Sequence, residues 1–177
     1  MKIAVIYKSK YGTTKRYAKW ISEELNADLF ENNNLKADTF LDYDVIVYGG
    51  GLYAGGTSGL DFIIKNYNMI KGKKLIVFTC GLADPNILEN KEAILRNTVR
   101  SFNDDMKDNI KIFNLRGGID YKKLSVIHKT MMYMLKKSIS KKEELTPENN
   151  EFLETYGKVV DFTDKGSIKP ILDYIKK

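Results

Sequence analysis

Three hydroxyl side chains, Ser9, Thr13 and Thr14, crowd around a single glycine, Gly12, in the stretch YKSKYGTTKRY at residues 7 to 17. Short donors beside a glycine, placed where an apolar run gives way to a helical pattern, suit the binding of an anion. A strand-to-helix turn points backbone N–H groups outward at a helix N-terminus, where the helix dipole favours negative charge. Gly12 lets the chain bend sharply, and the three hydroxyls can reach phosphate oxygens. The turn therefore reads as a phosphate cradle. It lacks the glycine spacing and closing Gly-Lys-Ser/Thr of a P-loop, and one glycine does not make a dinucleotide fingerprint. The bland alternative is a capped surface turn with no ligand.

The elements that must position this turn are legible as periodicities. Four runs of strand length, 2–8, 43–50, 73–80 and 110–115, are rich in Val, Ile, Phe and Tyr and nearly continuous. That pattern predicts strands buried on both faces, as in a parallel sheet. A weaker candidate, ADLFE at 27–31, lies between the first two. Helical spacing predicts helices over 14–25 (Tyr17, Ala18, Ile21, Leu25), 58–67, and 86–102 (Ile87, Ile94, Leu95, Thr98, Phe102). A further helix is predicted to open with Thr146 as N-cap and Pro147 in its first turn and to run through TPENNEFLETYGKVVDF. The last helix carries Ile168, Ile171, Leu172 and Ile175. Strands alternating with helices imply right-handed βαβ units and an α/β sheet in the doubly wound order 2-1-3-4-5. In that arrangement ligands bind beyond the carboxyl ends of the strands, where the winding reverses.

At 177 residues the expectation is one domain, large enough to bury roughly 70% of its unfolded surface. The lone cysteine, Cys80, excludes an intramolecular disulfide framework and fits a reducing compartment. The opening MKIAVIY gives no signal-peptide pattern, and no apolar run approaches the ~20 residues of a membrane span. A cytoplasmic protein is expected. The net charge of +6 is local: residues 121–142 hold seven lysines and no acid, so the remainder is slightly acidic. The segment 116–145 reads as a basic, Met-rich helical insertion, with Leu124, Ile127, Met131, Met134 and Leu135 on one helical face.

Taken together, three loops carry a resemblance. SKYGTT at 9–14, GGGLYAGG at 49–56 and TCGLADPN at 79–86 follow the first, third and fourth main strands. In that order they resemble the three FMN-binding loops of the flavodoxin family. The resemblance implies a flavodoxin-like three-layer sandwich around a five-stranded parallel sheet, with FMN as cofactor. It assigns Ser9, Lys10, Tyr11, Gly12, Thr13 and Thr14 to the phosphate. Gly51, Leu52, Tyr53 and Ala54 fall on one flank of the flavin ring, and Cys80, Gly81, Leu82 and Ala83 on the other. Backbone groups of the glycine-rich loop would meet flavin N5, and Tyr53 would stack on the ring. No catalytic residue or metal ligand follows: Cys80 reads as an inert thiol and His128 as a helix-face residue.

The opening of the insertion, Gly-Gly-Ile-Asp-Tyr from Gly117, and its place after the last strand resemble the menaquinone-dependent protoporphyrinogen oxidases of this fold. Two expectations follow within one chemistry. One is an electron carrier that meets a redox partner protein; the other is an FMN-dependent oxidase of protoporphyrinogen that hands electrons to a quinone. The basic segment 121–142 is expected to dock on a partner or on the inner face of a membrane. A receiver module is a poor fit, because Lys8, Ser9 and Lys10 stand where an acidic pocket is needed. A non-redox binding module using the lysines is a remote alternative, and nucleic acid is not an expected partner.

Overall fold

The computed structural model describes all 177 residues. In chain order its elements are β1 (Ile3–Lys8), α1 (Thr13–Leu25), β2 (Asp28–Glu31), β3 (Val45–Tyr53), β4 (Gly56–Thr57), α2 (Asp61–Ile70), β5 (Lys74–Gly81), α3 (Leu88–Val99), α4 (Asp104–Asn109) and β6 (Ile110–Arg116). Then come β7 (Gly118–Asp120), α5 (Val126–Ile139), α6 (Pro147–Thr155), β8 (Val159–Asp161) and α7 (Lys169–Lys176). They divide into two compact units: Met1–Gly117 with Thr163–Lys177, and Gly118–Phe162.

The first unit is built on a sheet ordered β2-β1-β3-β5-β6, with β4 paired to β3 as a hairpin. The five main strands pair in parallel, giving the doubly wound order expected from the alternation. Strand period sorts the core into two halves. Ile3, Val5, Val45, Val47, Ile76 and Phe78 pack with Tyr17 and Ile21 of α1 and Ile171 and Ile175 of α7. The intervening Ala4, Ile6, Ile46, Tyr48, Leu75 and Val77 pack with Ile63, Tyr67 and Ile70 of α2 and Met106 of α4. Both faces of the central strands are thus apolar, which is why their sequences read as continuous runs. Tyr48 is the polar exception. Burial pushes its phenol up to about 12, and its hydroxyl donates to Ser58 O at 3.0 Å and accepts from Asn32 Nδ2 at 3.3 Å.

Three predicted elements change. The helix expected over 86–102 ends at Val99, and a new one starts at Asp104, where the Asn103 side chain accepts the Met106 N–H at 2.8 Å. Phe102 is still buried, from the connection rather than from the helix. GGGLYAGG, expected as a loop, continues β3 through Tyr53 and turns back as β4. The helix from Thr146 stops at Thr155; Gly157 takes φ +84° and the following residues form β8.

The second unit is small. β7 and β8 pair antiparallel, Gly118 opposite Asp161 and Asp120 opposite Val159. Ser125 caps α5 by accepting the His128 N–H at 3.4 Å, and Thr146 caps α6 by accepting the Asn149 N–H at 3.2 Å. Tyr121 and Tyr156 pack with ring centroids 4.9 Å apart, and Lys136 Nζ lies 4.5 Å from the Tyr156 ring centre.

Candidate functional site

The carboxyl ends of β1, β3 and β5 converge, and the sequence-predicted residues meet there. Gly12 adopts φ +100°, a left-handed conformation that glycine takes without steric penalty, and so ends the turn into α1. Its N–H donates to Ser9 Oγ at 3.0 Å, and its carbonyl accepts the Arg16 N–H at 3.0 Å as the helix begins. No side chain caps α1, and its first turn holds no acid. The positive end of the helix is therefore not neutralised by the protein. Thr14 is 1% exposed, and its Oγ1 is buried with no hydrogen-bond partner. A buried hydroxyl without a partner costs free energy, and a ligand oxygen at this helix end would supply one.

The second segment is a hairpin, not a free loop. Leu52 pairs with Thr57 and Tyr53 with Gly56. Ala54 and Gly55 between them take φ +53° and +77°, the pair of positive values that a tight two-residue hairpin turn requires. The glycines of β3 allow close approach. A Cβ on Gly50 would stand 2.5 Å from Thr57 Cγ2, and one on Gly51 2.8 Å from the Tyr53 ring. The Tyr53 ring thus folds back over Gly51. It meets Tyr11 edge to face at 5.7 Å, and the backbone of Lys10 and Tyr11 hydrogen-bonds to its hydroxyl. Burial pushes the Tyr53 phenol up, against those hydrogen bonds. Lys10 itself is exposed, with its ammonium 5.6 Å from the Tyr11 ring centre.

The third segment leaves β5. Cys80 pairs with Gly51 on one side and Leu115 on the other, and its thiol donates to Thr13 Oγ1 at 3.5 Å. The thiol is buried and forms no disulfide. Gly81 lies under Leu52, whose Cδ1 would be 2.8 Å from an added Cβ. Leu82 and Ala83 follow, half-buried. All three segments are therefore joined in pairs: first to second through Tyr53, second to third through Leu52, third to first through Cys80.

Sequence reasoning passed over Arg116 at the end of β6. Its Nε donates to Leu82 O at 3.2 Å, and its Nη1 lies 3.7 Å from Asp84 Oδ2. Asp84 also accepts the Asn86 N–H at 2.9 Å. This ion pair holds the third segment in shape. Tyr17 is a second such residue: it donates to Arg116 O at 2.7 Å and accepts the Asp164 N–H at 3.0 Å. A cation at the end of a strand carries no local signal of what it will reach.

The fold and site together define an α/β protein with an anion cradle at the first strand-to-helix turn and two further segments closing on it. The chain belongs to the flavodoxin family: the model of the flavodoxin domain matches residues 4–146. It is 32% identical over 103 residues to an uncharacterized protein of Methanocaldococcus jannaschii, covering 57% of this chain and 67% of that one. The Trp repressor binding protein from Bacillus subtilis is 14% identical, with a TM-score of 0.50 over 73% of this chain and 94% of that one. A flavoprotein in complex with FMN from Lactobacillus acidophilus is 18% identical, with a TM-score of 0.44 over 65% of this chain and 91% of that one.

Proposed function

We propose that this chain binds FMN between its three convergent segments and serves as a redox protein that passes electrons through the flavin. The observation that carries the reading is the buried, unpartnered Thr14 hydroxyl at an uncapped helix N-terminus, in a chain of the flavodoxin family. Ser9, Thr13 and Thr14, with the amides of the first turn of α1, would hold the phosphate, and Lys10 would add positive charge from outside. Gly51 to Ala54 and Cys80 to Ala83 would flank the ring. FMN supplies one- and two-electron transfer, and the protein supplies binding, orientation and tuning. The rigid β3–β4 hairpin and the Arg116–Asp84 pair keep the two flanks in fixed places.

Purified protein should carry flavin, or quench the fluorescence of added FMN with one-to-one stoichiometry. Colourless protein that leaves FMN fluorescence unchanged would refute the reading. Tyr53→Phe is a sharper probe of the same site. It keeps the aromatic face and releases the Lys10 and Tyr11 amides from the phenol oxygen. FMN should bind about fivefold tighter, the effect of one neutral hydrogen bond of roughly 1 kcal/mol. Unchanged or weaker binding in that titration would show that those amides do not meet the phosphate.

A second reading within the same chemistry is oxidation of protoporphyrinogen with a quinone as acceptor. The unit that follows β6, opening at Gly118-Ile119-Asp120-Tyr121, supports it by its position and its first residues. The flavin-loaded protein would then oxidise protoporphyrinogen in the presence of a menaquinone analogue. No turnover leaves the carrier, whose partner is a second redox protein.

A further inference from the structure

The second unit leaves large apolar side chains in water on one helix. On α5, Val126 is 80% exposed, Ile127 71% and Met134 58%, and Tyr133 and Leu135 are exposed as well. Of the residues of the helix, Ile139 is buried, while His128, Met131 and Met132 are half-buried. Ile127, Met131 and Met134 follow the i, i+4, i+7 spacing of one helical face. Had that stripe served to complete a core, Ile127 and Met134 would be covered. Large apolar side chains left exposed together on one helix of a small unit mark a contact surface.

The charge around the stripe says what covers it. Lys122, Lys123, Lys129, Lys137, Lys141 and Lys142 are all exposed, and no acid occurs from residue 121 to 142. Lys123 pairs with Asp120 at 3.5 Å, and Lys142 donates to Asn149. Lys122, Lys129, Lys137 and Lys141 have no carboxylate within ion-pair distance. The lysines alone would match any acidic surface, an acidic protein patch included, so the exposed apolar stripe beside them decides. Lysines without acids along 121–142, on the same helix as exposed flexible apolar side chains, match a negative headgroup layer over a soft apolar one. The helix has 14 residues, and no helix of the protein is long and apolar enough to cross a membrane.

We propose that α5 and its flanking lysines dock this protein on an anionic phospholipid surface. The helix lies in the plane of the interface, with Ile127 and Met134 among the acyl chains and the lysines at the headgroups. This inference does not depend on flavin binding, and its test follows protein mass rather than colour. Full-length protein should co-sediment with phosphatidylcholine vesicles containing phosphatidylglycerol and stay in solution with phosphatidylcholine alone. Raising the salt to about 0.5 M, where screening acts over only a few ångströms, should weaken binding at least tenfold.

Ile127→Glu with Met134→Glu, and separately Lys129→Glu with Lys137→Glu, should each reduce binding at least tenfold. Circular dichroism should match the parent protein in both pairs. A Met134→Trp variant should show a blue-shifted emission on adding anionic vesicles. No sedimentation with anionic vesicles at low salt overturns the proposal. So does binding that survives the Ile127/Met134 pair undiminished, or equal binding to polyglutamate, because either makes the contact purely electrostatic and open to any polyanion.

Discussion

Thr14→Val should move stability and flavin affinity in opposite directions. The threonine is buried and its Oγ1 lacks a partner, so the folded protein carries an unsatisfied hydroxyl. Valine keeps the shape and removes the polar atom. Relief of an unpaired hydroxyl is worth about 1 kcal/mol or more, which for a chain of this length raises the melting temperature by roughly 2–4 °C. In the proposed binding mode the same change removes a hydrogen bond to a charged phosphate, worth about 1.5–3 kcal/mol, so FMN should bind roughly 10- to 100-fold more weakly. Thermal melts of flavin-free protein and an FMN titration measure the two effects separately. A structural threonine would lose stability on substitution and leave affinity alone; that outcome would end the assignment of Thr14 to the phosphate.

Gly49→Ala should be the most damaging single methyl in the sheet. Gly49 stands beside Phe78 in the β3–β5 register, and an added Cβ would fall 2.1 Å from Phe78 Cζ and under 2.8 Å from both Cε atoms. The Phe78 ring is fully buried among Val5, Val47 and Ile76, so it has nowhere to retreat. Overpacking of this kind costs about 3 kcal/mol. Urea titration should show the midpoint fall by a large fraction, since domains of this size hold only about 5–15 kcal/mol in total. Phe78→Leu in the same chain should recover part of the loss, because the smaller side chain vacates the space the methyl needs. Wild-type stability in Gly49→Ala alone would mean that the ring does not rest on the glycine.

The parts of this protein that were legible in its sequence are those where local pattern and final environment agree. β1, β3 and β5 are buried on both faces, so they read as apolar runs, and α1 and α7 each bury one stripe. The first and third site segments sit directly after such strands, which made their positions readable. The run at 110–115, expected to be buried on both faces as well, is instead the edge strand β6, with Lys111 exposed and Ile112 to Asn114 half-buried. Where the pattern misled, a distant contact decided the outcome. Val159 and Val160 look like the tail of a helix, but they pair with Gly118–Asp120, about forty residues back in the chain. The glycines of GGGLYAGG look like a loop, but they let a strand pass beneath Phe78, Ser58 and Tyr53. Spacing puts Ile127 and Met134 on one helical face, which suits a core and a docking surface equally; the folded chain leaves both exposed. Arg116 gave no signal, because its partners, Leu82 and Asp84, are brought near only by the β5–β6 pairing.

The chain enters its second unit at Gly118 and leaves it past Asp161, and these two residues face each other across the β7–β8 ladder. Cross-strand neighbours of this kind are about 5 Å apart. The whole of 118–162 is thus a cassette whose two ends nearly touch. Such a module can be lengthened, recharged or exchanged without changing the spacing of the two points at which it joins the first unit, so the surface proposed for docking is free to vary apart from the site proposed for FMN.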